Sequence, residues 1–356
     1  MKTKIILTSL LLIGCTIICT HSPTKDSNTI LDRAGDSGES IEMIVANNRQ
    51  YDASVWMGTI NNTIYYFPRS KIGKPTNDDN CLCCINGENS EVILRFPGDC
   101  QIKIIALINA NLYYSERSNE KTTLYWYNLN TSEKREIMSS SSFNNTLSVF
   151  AQDGSFYYPE NGGPNPRYIH VENGKIVGIV DDPPGFSLGG REYSVFNRVL
   201  GSGSKVVRKE KNGIVEDIPL DYSDWCALIP TEYGLLIHNV GLKDVLSLVG
   251  ESGETEPLFY VDCMASKTAV TVVNDYVFIS VKRYEKYGAK GMIRYVNDSF
   301  EGTYRIDLRD KTVIKISDSI YDGLYYFDDI GLFASNESCQ VFRLDYDGNQ
   351  IEKIIN

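Results

Sequence analysis

The sequence predicts an all-β chain folded as a β-propeller, with seven four-stranded blades and with six or eight as the alternatives. Three observations predict it. Short runs in which aromatic or branched residues alternate with polar ones recur from about residue 50 to the end. Asn-Gly, Ser-Gly or Asp-Gly pairs punctuate these runs, as tight hairpins demand. The punctuation returns at intervals of about 40 residues, the length of one four-stranded blade. No helix-period stretch competes with this pattern. With 42% hydrophobic residues and 23 tyrosines in 356, the chain is rich enough in core-forming and strand-forming residues to be globular.

Residues 1–19 read as a targeting segment. Lys2 and Lys4 precede an apolar run, residues 5–13, that is too short to span a bilayer as a stable helix. Leu12-Ile13-Gly14-Cys15 resembles a bacterial lipobox, in which Cys15 would become the lipidated N-terminus. An ordinary cleaved secretory signal and an uncleaved anchor are the alternatives, and all three export the chain. Residues 20–40 have the Ser, Thr, Asp and Gly composition of a flexible tether, leaving 41–356 for the propeller. The expected location is the extracytoplasmic face of a cell membrane.

Charge narrows the partners. Lys and Arg number 35 against 46 Asp and Glu; without Lys2 and Lys4 the balance is 33 against 46, or −13. An acidic exported chain is a poor match for nucleic acid, whose phosphates need a basic face. Seven cysteines lie beyond Cys15 and Cys19, an odd number, so at least one is unpaired. Cys81, Cys83 and Cys84, with Cys100 nearby, invite a metal reading, yet in a strand Cys84 faces away from the other two. They are expected to be buried thiols, not metal ligands.

The blades can be followed by the hairpin before each fourth strand. Gly87, Gly174, Gly213, Gly253 and Gly348 mark five of these turns, and Thr131 and Asp310 hold the matching place in the other two. Third strands such as Thr123-Leu-Tyr-Trp-Tyr127 and Val341-Phe-Arg-Leu344 precede the turns, and second strands such as Leu112-Tyr-Tyr114 and Ser155-Phe-Tyr-Tyr158 precede those. Inner strands are expected at 102–107, 147–151, 227–230, 268–273 and 324–327, each followed by a turn-forming Asn109, Asp153, Glu232, Asn274 or Asp329. Blade four is the least regular. Residues 41–47 are a candidate strand to complete the last blade and latch the ring.

The Leu/Ile-Tyr-Tyr strands and the closing Val341-Phe-Arg-Leu-Asp-Tyr-Asp-Gly-Asn349 hairpin resemble the low-density-lipoprotein-receptor-like β-propeller domains of bacterial lipoproteins. The resemblance covers about residues 50–356 and implies a fold, with no assigned activity and no catalytic residue. The Tyr-Trp-Thr-Asp signature of the receptor itself is absent, and seven units are counted here instead of six.

In a propeller, the connections from second to third strand and from one blade to the next emerge on one face. The long connections fall there: 68–80, 139–145, 159–166, 181–190 and 281–301. Loops of that length commonly carry function. The insertion 282–300 interleaves Arg283, Tyr284, Lys286 and Tyr287, which could stack on sugar rings or grip an acidic partner; its plain alternative is a solvated excursion packing its tyrosines on blade six. Arg69 in the first long connection and Trp225 beside Asp224 complete the candidate binding residues. Asp99, Asp181, Asp182, Asp221, Asp224, Asp262, Asp318 and Asp322 fall in the connections between blades. Asp commonly starts turns, and the alternative is a ring of carboxylates that could hold calcium. No other cofactor is suggested.

Enzyme motifs fail on context. Gly185-Phe-Ser187-Leu-Gly189 has the spacing of a nucleophile elbow, but Pro183-Pro184 precede it and a strand, not a helix, follows. His170 and His238 sit in strand alternation, without metal-ligand spacing. The expectation is a surface binding or interaction module for a protein or glycan. A polysaccharide hydrolase or lyase and a structural subunit of an envelope complex are the alternatives.

Overall fold

The turn residues singled out by the sequence carry the backbone conformation that hairpins need. Gly174, Gly213, Gly253 and Gly348 have φ between 73° and 85°. In blades two and six the positive φ falls on Ser132 and Lys311, one residue after the expected Thr131 and Asp310. The reason is length: the Ser132 and Lys311 amides donate to the carbonyls of Asn128 and Asp307, four residues back, whereas Gly253 closes onto Gly250. Asn109 and Asn274 also have positive φ, as turn formers should.

The computed structural model describes residues 41–42 and 55–355, apart from 69–79, 87–88, 119–120, 142–149, 153–154, 160–166, 182–184, 198–203, 219–224, 241–243, 262–264, 284–286, 289–290, 293–299 and 328–329. Its strands form seven four-stranded antiparallel meanders. Blade one is Val55–Ile60, Thr63–Pro68, Cys81–Asn86 and Asn89–Arg95; blade two is Gln101–Ile108, Asn111–Ser118, Lys121–Asn128 and Lys134–Ser140. Blade three is Phe150–Gln152, Ser155–Pro159, Tyr168–Glu172 and Lys175–Val180; blade four is Phe186–Leu188, Arg191–Asn197, Ser204–Lys209 and Val215–Asp217. Blade five is Trp225–Thr231, Gly234–Val240, Asp244–Val249 and Thr255–Tyr260. Blade six is Ala265–Val273, Tyr276–Arg283, Gly302–Asp307 and Val313–Ser317, and blade seven is Gly323–Phe327, Gly331–Ser335, Val341–Leu344 and Gln350–Ile355.

Side chains from neighbouring blades interdigitate at every junction, which closes the ring. Tyr113 of blade two meets Phe156 of blade three edge to face, with centroids 4.5 Å apart. Phe186 and Tyr193 of blade four pack with Tyr168 of blade three and Leu235 of blade five. Leu236, Phe278 and Leu332 share one aliphatic core that joins blades five, six and seven. Blade seven meets blade one where the buried Tyr325 hydroxyl donates to the Val55 carbonyl, and Phe333, Trp56 and Tyr114 continue that core into blade two.

Two expectations are corrected, and blade one gains an inner strand for which the sequence offered no candidate. Residues 181–190 are not one long connection, because Phe186–Leu188 is the inner strand of blade four. It is three residues long, too short for any period to show, and Gly189 and Gly190 turn the chain straight into the next strand. A Cβ on Gly189 would lie 2.1 Å from the Glu251 carbonyl oxygen, so glycine there lets the blade-five turn close on blade four. Blade one has an inner strand, Val55–Ile60, which begins as four consecutive buried residues and so lacks alternation. Finally, Ile41–Glu42 does not latch the last blade: it pairs antiparallel with Gln152 and Ala151, on the inner strand of blade three. Among the described residues, blades one and seven each draw all four strands from one stretch of chain, and the contact between them is one of packing and the Tyr325 hydrogen bond.

Candidate functional site

Strand alternation gives blade two two different sides. Tyr113, Leu124 and Trp126 point toward blade three and pack on Phe156 and Tyr158. Leu112, Tyr114 and Tyr127 point toward blade one and join Phe67 and Phe96. Further along that second side, the apolar residues give way to Glu116 and Ser118 on one strand and to Lys121 and Thr123 on the next. On that side blade two therefore carries a groove of about 640 Å³, lined by Cys100, Glu116, Ser118, Lys121, Thr123, Tyr125 and Ser139 to Ser141.

The groove lies on the face that carries the long connections. Ser118 ends the second strand and Lys121 begins the third, Ser140 ends the fourth, and Cys100 sits in the connection from blade one. Aromatic rings form its base: Tyr125 stacks on the buried Tyr114 at 5.4 Å, and Phe96 meets Tyr114 edge-on at 4.9 Å. The Lys134 ammonium lies 4.0 Å from the Tyr125 ring centroid and 2.9 Å from Glu116 Oε1. It holds the Glu116 carboxylate, which is only 11% exposed, over the tyrosine pair. Thr123 and Ser139 share a hydrogen bond of 2.9 Å across their strands.

The electrostatics keep the phenols and the thiol here uncharged. Burial, then the Glu116 carboxylate, raises the Tyr114 and Tyr125 hydroxyls above the usual tyrosine range, so both stay protonated donors. Burial, then Asp99 and Glu116, raises the Cys100 thiol as well. That keeps Cys100 from acting as a thiolate near neutral pH. The groove brings together hydroxyls from Ser118, Thr123, Ser139, Ser140 and Ser141, a phenol, one carboxylate and one ammonium from Lys121. Such a set can hydrogen-bond a hydroxyl-rich molecule whose apolar face rests on Tyr125.

The sequence-named residues are distributed differently. Arg69, Tyr284 and Lys286 lie outside the described residues, as do Cys15, Asp182, Asp221, Asp224 and Asp262. Arg283 is the last residue of a blade-six strand and not part of the insertion, because it still pairs with Ala265. Tyr287 opens a small hairpin, Tyr287–Gly288 with Gly291–Met292, that rises from the same connection. Trp225 belongs to the inner strand of blade five, opposite Val240, and not to a connection. Asp318 is held by Lys315 at 2.6 Å, while buried Asp322 accepts a hydrogen bond from the Ser335 hydroxyl at 2.8 Å. Asp99 and Asp181 are exposed. Among the described residues, no three His, Cys, Asp or Glu side chains come together as a metal site.

Cys81, Cys83 and Cys84 are buried thiols in one strand, with the Cys81 sulfur 3.2 Å from the Arg95 guanidinium. Ser187 lies inside a strand with no helix after it. His238 is fully buried, and burial lowers it to about 3. His170 stacks flat on Tyr157 at 4.4 Å. The sequence marks Thr123 and Tyr125 only as strand residues and Ser139 to Ser141 only as the start of a connection, whereas Ser139 and Ser140 still belong to the fourth strand of blade two. A signal for the groove was present: Glu116 and Ser118 interrupt the apolar side of a strand that begins Leu112-Tyr-Tyr.

The chain is similar to the β-propeller domain of the Trilobed protease from Pyrococcus furiosus, with 11% identity over 84% of this chain and 95% of that one, at a TM-score of 0.47. It is similar to an acylaminoacyl peptidase from Pyrococcus horikoshii, with 10% identity over 86% of this chain and 53% of that one, at 0.46. TolB from Acinetobacter baumannii matches with 12% identity over 79% of this chain and 64% of that one, at 0.32. The chain thus spans about half the length of the peptidase. At these scores the likenesses say nothing about a site. No protein-family model and no curated protein matches the chain, so its resemblance to the lipoprotein propellers rests on the quoted residues alone.

Proposed function

We propose that the chain is an exported, lipid-anchored β-propeller that works as a binding module, with the blade-two groove receiving a carbohydrate. One observation carries the site: a groove of about 640 Å³ where hydroxyl, carboxylate and ammonium groups surround a tyrosine ring. The positive start, short apolar run and Cys15 of the leader support export and anchoring. A long tether would then hold the groove clear of the membrane. Hydrolysis of a glycoside uses two carboxyl groups about 5 to 9.5 Å apart. The groove lining contains one, Glu116, which favours binding over turnover.

The test is a glycan array probed with the purified protein, followed by Tyr125→Ala and Glu116→Gln. A glycan bound at least tenfold more weakly by either variant, with folding unchanged, supports the reading. A glycan bound equally by both variants would move the site elsewhere on the ring, with the Tyr287 hairpin the next place to look. Silence across the array would remove carbohydrate as the ligand.

A further inference from the structure

The fourth strand of each blade is an open sheet edge, with unpaired backbone groups that invite another strand. Six of the seven edges are protected within the strand. Glu91 and Arg95 lie in blade one, Lys134, Arg135 and Glu136 in blade two, and Glu216 and Asp217 in blade four. Glu256 and Pro257 serve blade five, Lys315 serves blade six, and Glu352 and Lys353 serve blade seven. Charge and proline at such positions oppose edge-to-edge pairing.

Blade three differs. Its outer strand, Lys175–Val180, has no charge or proline after its first residue, and Ile176, Val177 and Ile179 are 45%, 52% and 49% exposed. A bulge beside Val177 is shared with five other outer strands, so missing charge is what sets this edge apart. The sequence Lys175-Ile-Val-Gly178-Ile-Val-Asp181 is also self-complementary. Laid antiparallel on itself about Gly178, it sets Ile176 against Val180, Val177 against Ile179, and Lys175 against Asp181 at each end. Lys175 and Asp181 are both exposed.

We propose that the outer edge of blade three is a self-association surface, pairing antiparallel with the same strand of a second copy of this chain. A two-fold axis through the Gly178 pair makes the contact isologous and closed, so it yields a dimer and not a filament. Apolar contact on both faces of the joined sheets and new backbone hydrogen bonds drive it, while the two end pairs set the register. Rim ion pairs of this kind contribute little affinity, so their role is to select this alignment.

The experiment is sedimentation of the full-length protein in detergent from about 1 to 100 µM, a range suited to a small interface. The expected protein mass is twice that of one chain as purified. Val177→Lys should shift the monomer–dimer midpoint at least tenfold. Lys175→Asp and Asp181→Lys should each weaken the dimer, and the two together should restore it. Gly178→Cys supplies an independent readout, because a side chain at Gly178 meets no heavy atom within 4 Å. Mild oxidation should link this variant to itself as a dimer that the parent protein does not form. A monomer throughout the range, or a dimer indifferent to Val177→Lys, overturns the proposal.

Discussion

Two regions of the ring differ in how much aromatic surface they bury. Between blades five, six and seven the core is mainly Val, Leu and Ile, with Val270, Phe278, Ile279 and Leu324 wholly buried. Around blade one the core mixes rings, among them Trp56, Phe67, Phe96, Tyr114 and Tyr127, with Ile64, Leu82, Ile104, Leu107 and Leu112. Branched side chains interlock along the full depth of the first seam. Beside the second, polar side chains of blade two follow its apolar ones and line the groove. The first also has an external clamp: the Arg305 guanidinium donates to the Tyr346 carbonyl at 2.7 Å and to Asp347 at 2.9 Å across the blade six to seven junction. The difference teaches that blades of one ring can be held together by cores of different composition.

The strongest way to break the comparison is to truncate each seam. Phe278→Ala removes a ring with no exposure and should cost about 3–5 kcal/mol of stability. Denaturant unfolding would measure it. Tyr125→Ala at the groove should cost much less, because that ring is partly exposed. Equal losses would mean that the groove region is as cohesive as the aliphatic one.

Acid tests the buried seam more gently. His238 lies on the same side of its strand as Leu236, which packs into the aliphatic core. Its folded pKa is lowered from 6.5 to about 3, so between those values the unfolded chain binds the extra proton. Stability should be unaffected above pH 6.5 and fall by about 1.4 kcal/mol for each pH unit below it, until the folded value is reached. His238→Leu should flatten that part of the stability profile measured by thermal unfolding. An unchanged profile would show that His238 does not report on acid sensitivity.

The smallest effect belongs to the groove. Lys134 is 42% exposed and its pair with Glu116 is near the surface. Lys134→Met should therefore change stability by less than about 1 kcal/mol. Ligand binding should weaken by a larger factor, since Glu116 loses the group that holds it over Tyr125. A stability loss above that figure would make this pair part of the cohesion of the ring and blur the contrast.

The sequence by itself determined the strand class, the hairpin turns and the count of seven repeats. Each of those is local: alternation is a property of six or eight consecutive residues, and Gly174 or Gly348 needs only its own φ. It failed where locality failed. Phe186–Leu188 is a strand because neighbouring strands pair with it, and Val55–Ile60 hides its face in continuous burial. Tertiary structure alone decided the groove. Cys100, Glu116, Tyr125 and Ser139 come from a connection and three different strands, and they meet only when the strands of blade two pair in register. Hydrogen bonding between strands sets their register, and that quantity is not carried by the spacing of residues along the chain.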